Sequence, residues 1–427
     1  MTRRFQAATA WAAIALMLML PACGGGAGTQ VGYIRLLNAS AGYAALDFYV
    51  DDALKSSALA YGSAGDYIAA SHDGVDTVIT NAGSTLALST AALKPSRGAY
   101  YTVVAYGWQG ALKTALLEDN GSAPAGGKSS LRVLNTAVDA GSVDVYLTGS
   151  TDLLDGATPV AAGVAGGGEQ AFKTLGSGNY RLRITGADDK ADLRLDVSGL
   201  TLASEQVATL IVTPGSGGVL TSALLVGQKG GVTALTNTGS RARVVAALSG
   251  NAVVTASLGG GVLISGGVAP TVGSYAQVPS GGQAVALNVN GVPVPVASQT
   301  LTAGADYTLL VWGDVAAPQV SLIPDDNRLP SVSNNAKIRL VNGTAHTTAA
   351  LTLTVDFSVL ANNVAPGAAS AFNTLAGVAS ARLDVTSPLS STPIYSSTGV
   401  EIKAKGVYSV FVLADASAPT TLLRRER

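Results

Sequence analysis

Four times along the chain a strand opens with an arginine set among apolar residues: Tyr33-Ile34-Arg35-Leu36-Leu37-Asn38, Leu131-Arg132-Val133-Leu134-Asn135, Ala242-Arg243-Val244-Val245 and Ile338-Arg339-Leu340-Val341-Asn342. The arginines lie 97, 111 and 96 residues apart. That period suits one β-sandwich each and excludes the roughly 20 to 50 residue repeat of a solenoid. A second landmark recurs late in each unit, in the same order: Tyr101-Thr102-Val103-Val104, Ala208-Thr209-Leu210-Ile211, Tyr307-Thr308-Leu309-Leu310 and Tyr408-Ser409-Val410-Phe411. Four units are therefore expected, over 32–122, 128–229, 230–325 and 335–427, the third the most divergent. The length of 427 residues accommodates them.

Between the landmarks runs a strand of period two, in Leu46-Asp47-Phe48-Tyr49-Val50, Val143-Asp144-Val145-Tyr146-Leu147 and Leu351-Thr352-Leu353-Thr354-Val355, so one face is buried and the other wet. Glycine-turned hairpins are expected next, as at Gly176-Ser177-Gly178 and Ser280-Gly281-Gly282. Past the first residues no stretch carries a 3.6-residue period. The reading is all-β: tandem immunoglobulin-like antiparallel β-sandwiches of about seven strands each. Polar, turn-rich junctions at 118–130, 227–231 and 324–336 read as linkers. Four domains in file would form a rod of roughly 140 Å.

The amino terminus has its own pattern. Arg3 and Arg4 precede an apolar run from Ala10 to Leu20, which as a helix rises about 16 Å and falls short of a bilayer. Residues 1–22 are thus expected to be an export signal. Leu20-Pro21-Ala22-Cys23 resembles the bacterial lipoprotein signal, and that resemblance implies cleavage between Ala22 and Cys23 and attachment of diacylglycerol and a further fatty acyl chain such as palmitate to Cys23. Gly24, where the lipoprotein pattern uses Asp for inner-membrane retention, favours the outer membrane. Residues 23–31, rich in glycine, read as a flexible lipid-anchored tether. Cys23 is the chain's one cysteine, so its acylation leaves no disulfide, and hydrophobic cores must hold the units together.

The opening Arg-[Leu/Val]-[Leu/Val]-Asn strand, the Val-Asp-Val-Tyr strand, the glycine turn and the late Tyr-Thr-Val-Val-Ala strand together resemble the bacterial family catalogued as domain of unknown function 4397. The resemblance extends over most of residues 32–427. It is weakest in the third unit, where Ala246 replaces the strand-end asparagine and the second strand reads Val253-Val254-Thr255-Ala256. It implies an exported β-sandwich, often in tandem, with no reaction and no catalytic residues to transfer.

Little in the sequence points to chemistry. With 26 basic against 27 acidic side chains, no field for nucleic acid exists. Two histidines and one cysteine exclude the usual histidine- or thiol-rich metal sites. Ser71-His72-Asp73 lists the residues of a hydrolase triad, but neighbours on an extended chain face opposite sides, so a turn is expected there. His346 is expected in an exposed loop. No G-x-S-x-G or H-E-x-x-H occurs, and Gly127-Lys128-Ser129 lacks the earlier glycine of a phosphate loop because Ser122 occupies that place.

Among the paired carboxylates Asp51-Asp52, Asp188-Asp189 and Asp325-Asp326, the last is the best candidate for calcium, since a metal would stiffen its linker. Trp108, Trp312, Tyr43, Tyr61 and Tyr106 are candidates for a sugar-stacking platform, though core packing accounts for most aromatics. The function expected is a non-catalytic, lipid-anchored envelope protein acting as spacer or interaction module for a protein or glycan, with no cofactor beyond the lipid. The alternatives are a carbohydrate-binding surface module and a hydrolase with a site between domains.

Overall fold

The opening and late strands of each unit lie side by side, and this pairing sets the architecture. The computed structural model describes residues 31–427; the expected signal, Ala22, Cys23 and nearly all of the tether lie outside the described residues. In the first unit the strands are β1 Val31–Asn38, β2 Ala45–Val50, β3 Ala53–Ala60, β4 Ile68–Ser71, β5 Val75–Asn81, β6 Ala87–Leu93, β7 Tyr100–Tyr106 and β8 Lys113–Glu118. They form two four-stranded sheets, β4-β1-β7-β8 and β3-β2-β5-β6. The sandwich has eight strands, not seven, and it is not wholly antiparallel, because β1 and β7 run parallel.

The same pairing recurs in every unit and puts each arginine opposite a hydroxyl: Arg35 faces Thr102, Arg132 faces Thr209, Arg243 faces Thr308 and Arg339 faces Ser409. The third unit conforms, its divergent second strand Val253–Leu258 pairing with Val285–Val289 as β2 pairs with β5. The glycine turns expected to close hairpins do something else. Glu169–Gly176 pairs with the opening strand and Gly178–Gly186 with the second strand, so the turn carries the chain from one sheet to the other. His72 sits at the corresponding corner, between β4 and β5 of different sheets.

Polar side chains fix the corners. At the end of the opening strand the Asn38 amide donates to the carbonyls of Tyr43 (3.1 Å) and Leu59 (3.0 Å). Asn135 does the same to Gly141 and Val164, and Asn342 to Val364. Tyrosine corners close three units, the hydroxyls of Tyr101, Tyr307 and Tyr408 each accepting the amide five residues upstream. The second strand meets a bulge in every unit. Asp47 accepts the amide of Ala58 there (2.6 Å) and Asp144 that of Gly163 (2.7 Å).

Each sandwich holds its own core, as Ile34, Leu36, Leu46, Phe48 and Ile79 do in the first. The outer face of the β1–β7 sheet is also buried. Leu37, Val104, Tyr106 and Leu117 of unit one pack on Leu134, Ile211, Leu224 and Val226 of unit two. Val245, Leu310 and Ile323 of unit three meet Val341, Phe411 and Leu413 of unit four. At about 1.5 to 3 kcal/mol per large side chain buried, such faces are substantial. The units thus dock sheet to sheet in two pairs.

The pairs also touch. Asp139 accepts the indole N–H of Trp108 and the amide of Leu329 (2.8 Å), while its carbonyl accepts from Arg427 (2.5 Å). The expected rod of separate domains is therefore replaced by docked pairs, and the expected linkers are not free spacers. Val232–Leu235, placed by sequence in the third repeat, adds an edge strand to the second unit's sheet.

The bulge residue takes a left-handed backbone in all four units: Ala58 at φ 49°, Gly163 at 60°, Gly266 at 63° and Asn363 at 55°. Only Ala58 has neither the freedom of glycine nor the local hydrogen bonding of asparagine. Ala58→Gly is expected to raise the stability of the first unit by about 0.5 kcal/mol, the left-handed penalty outweighing the extra chain entropy. Urea unfolding checks this; a lower midpoint would contradict it.

Candidate functional site

An arginine in the middle of a buried strand needs partners for its charge and its five N–H groups. Its own unit supplies two. The Nε donates to Thr102 (2.9 Å), Thr209 (2.8 Å), Thr308 (3.0 Å) or Ser409 (3.0 Å). An aromatic ring from the neighbouring edge covers the guanidinium: Tyr67 at 4.4 Å, Phe172 at 4.8 Å, Tyr275 at 4.5 Å and Phe372 at 4.6 Å.

The carboxylate comes from the other unit of the pair. Arg339 donates to Asp325 (2.6 Å), and Arg243 binds Glu426 through both terminal nitrogens (2.7 Å each). Asp325, the last residue of its unit's final strand, and Glu426, the residue just past its own, hold equivalent positions opposite Asp306 and Val407. The contact is therefore reciprocal, as in a two-fold interface. In the first pair Arg132 reaches Asp119 (3.4 Å). Asp119 also accepts from Thr102 (2.5 Å) and Tyr67 (2.6 Å), as Asp325 does from Thr308 and Tyr275 (2.6 Å each). Burial first, and then the neighbouring aspartate, raise the hydroxyls of Tyr67 and Tyr275, which stay protonated donors. Arg35 departs from the pattern: backbone carbonyls of Gly230 (2.8 Å) and Gly227 (3.4 Å) receive it.

These contacts correct the calcium reading of Asp325-Asp326. Asp325 is fully buried on Arg339, and Asp326 lies on Arg328 (2.7 Å) and Lys337 (3.1 Å). Burial works to raise the Asp326 carboxyl, but those two cations hold it below the usual carboxylate range. Protein cations already occupy the place a metal would take. No cluster of three or more metal-ligating side chains occurs among the described residues. Asp51-Asp52 and Asp188 occupy left-handed turn positions.

The two histidines are not brought together. His72 lies by Arg97 (2.8 Å) and Asp73 (3.3 Å). His346, half-exposed as expected, bridges two units: Nδ1 lies 2.7 Å from Asp415 and Nε2 lies 2.9 Å from Asp314. With a carboxylate on each nitrogen, the ring has no nitrogen left to take a proton from a hydroxyl, so this is not the arrangement of a serine hydrolase's histidine. Donating hydrogen bonds to Asp314 and then to Asp415 raises its pKa, while Ser417 first, and then His346, lower Asp415 to about 2.

Of the proposed stacking aromatics, Tyr43 and Tyr106 are buried. Tyr61 donates to Thr213 (2.9 Å) across the first pair, and Arg328 covers Trp108 (4.5 Å). Trp312 lines a cleft with open space. That cleft, about 540 Å³ between units three and four, is bounded by Trp312, Asp314, Gln319, Thr344, His346 and Leu389. Gly367 lies under the indole so closely that a Cβ there would come within 2.2 Å of the ring. The result is a partly exposed aromatic ring rimmed by hydrogen-bonding groups, suited to a small polar ligand.

The clamp partners Tyr67, Phe172, Tyr275, Phe372, Asp119 and Glu426 escaped sequence reasoning. A signal was present, since each unit repeats a charge inside a strand and three units end on an acid.

A family model described as "Domain of unknown function (DUF4397)" matches residues 32–146 and 240–349. Each match runs through one sandwich and past the opening arginine of its partner. No curated protein matches the chain. Among solved structures, the chain aligns with a family 26 carbohydrate-binding module of Eubacterium rectale Amy13K in complex with maltoheptaose, at 10% identity and a TM-score of 0.15, covering 42% of this chain and 91% of that one. It aligns with the Bacillus anthracis TIE protein at 12% identity and a TM-score of 0.14, covering 87% and 65%. Scores this low carry no argument about function.

Two outcomes follow from the clamps. Asp325→Asn leaves Arg339 buried without its carboxylate and is expected to destabilise the second pair by about 3 kcal/mol, measured by thermal or urea unfolding. For His346 the folded pKa exceeds the usual 6.5, so its contribution is complete below that value and fades as pH rises through the folded pKa. The two aspartates, depressed from 3.8, contribute above that value and fade as pH falls through their folded pKa. The melting temperature of wild type should therefore exceed that of His346→Gln most between pH 3.8 and 6.5. A gap independent of pH would contradict the ion-pair role.

Proposed function

The chain belongs to the DUF4397 family, whose two matches cover more than half of its length, and from that premise we propose that it is a non-catalytic, lipid-anchored protein of the outer membrane, a rigid interaction scaffold for a protein or glycan. The observation that supports a scaffold is the reciprocal burial of Arg243 on Glu426 and Arg339 on Asp325. The charged residues that recur from unit to unit serve to weld sandwiches into pairs. A welded array holds its loops and clefts at set distances, which is what a presenting surface requires.

Anchoring rests on Leu20-Pro21-Ala22-Cys23 alone. Several acyl chains, at about 0.8 kcal/mol per buried methylene, hold a protein to a bilayer without any spanning helix. The glycan reading gains from the Trp312 cleft, where an aromatic face meets Asp314 and Gln319 as a sugar ring's apolar face and hydroxyls require.

The test is to label cells with an alkyne analogue of palmitate and fractionate them. Wild type is expected to carry the label and sediment with membranes, whereas Cys23→Ala loses both. Retention of the variant in membranes would overturn the anchor. Glycan-array binding that survives Trp312→Ala would overturn the assignment of that cleft.

A further inference from the structure

Three of the four buried arginines meet a carboxylate, and Arg35 does not. Its exposure is only 4%, and among the described residues its guanidinium touches one hydroxyl, two carbonyls and the Tyr67 ring. The reason lies at one position. Gln228 holds the ladder place of Glu426, its amide bonding the Val207 carbonyl as Glu426 bonds that of Val407 (2.8 and 2.7 Å). Lacking a charge, the Gln228 side chain turns to the backbone of Gly121 instead (2.8 and 2.6 Å). Asp119, the acid at the end of Arg35's own unit, is taken by Arg132, Thr102 and Tyr67.

Beside Arg35 opens a cleft of about 530 Å³, walled by Gly62–Tyr67 and the loop Lys229–Val232. Lys229 overlies the Tyr100 ring at 3.8 Å and has no carboxylate partner among the described residues. Two cationic residues, Arg35 and Lys229, thus line this space, with one exposed acid, Asp66, at its rim. The balance selects a ligand. A single carboxylate satisfies Arg35 and Lys229, hydroxyl donors satisfy Asp66, and a multiply charged phosphate is opposed by Asp66.

We propose that this cleft binds a sugar acid of the uronate class, whose carboxylate does for Arg35 what Glu426 does for Arg243. Its volume suits one or two sugar rings. The site is independent of the lipid anchor and of the Trp312 cleft.

The test is calorimetric titration of the detergent-solubilised full chain with D-galacturonate, D-galactose, inorganic phosphate and tetraglutamate. Galacturonate is expected to bind at least about tenfold more tightly than galactose or phosphate, the worth of one charge-assisted pair. Gln228→Glu, which supplies the carboxylate from within, should abolish that binding while leaving the melting temperature equal or higher. Lys229→Ala, on the surface and outside the clamp, should weaken it several-fold with the fold intact. Absence of galacturonate binding, or binding indifferent to both substitutions, would overturn the proposal. Tetraglutamate binding in preference to galacturonate would overturn the sugar assignment in favour of an acidic peptide.

Discussion

A guanidinium taken out of water needs acceptors for its N–H groups, and an opposite charge is the strongest of them. The chain accepts that demand four times, at the same place in four sandwiches. Within a unit, the parallel strand can offer only a hydroxyl, and the edge only an aromatic face. The remaining acceptor comes from a second sandwich, whose last strand ends on an acid, or in one case on carbonyls. The need of one side chain thereby couples two domains, and since the coupling runs both ways, the pair closes on itself.

Closure explains why pairs rather than single domains are the structural unit. Odd units present a tyrosine over the arginine and an aspartate at the end; even units present a phenylalanine and a glutamate or glutamine. Tyr67 and Tyr275 each give their hydroxyl to the aspartate of their own unit, a role a phenylalanine cannot fill. The alternation fits duplication of a two-sandwich ancestor, and each family match crosses from an odd sandwich into the strands of the even one. Departures from the repeat then carry meaning. Gln228 in place of an acid unbalances one clamp, while Asp314 and Asp415 around His346 add a fastening to the second pair alone.

Much of the fold was legible in the chain. The period of the arginines marked four sandwiches, and alternation in the second strands marked a wet face and a dry one. The opening and late strands read as unbroken apolar runs, such as Leu36-Leu37 and Val103-Val104, which is the pattern of strands buried on both faces. Their second burial partner is another domain, and for that reason a rod of beads was the wrong expectation. The turns after glycine were visible, but a turn within a sheet and a turn between sheets use the same residues. The carboxylates at 325 and 326 were visible too, and only their cationic neighbours show why they do not invite calcium.

What the sequence determined by itself was local: the residues that form strands, the corners, the repeat, and the apolar run ahead of Cys23. Those follow from alternation, turn chemistry and periodicity, which act over a few residues. Which face of one sandwich meets which face of another, that Asp325 lies under Arg339, and that Arg35 is left with carbonyls beside an open cleft were decided only in three dimensions. Charge pairing over such separations depends on a docking geometry that no short stretch of chain encodes.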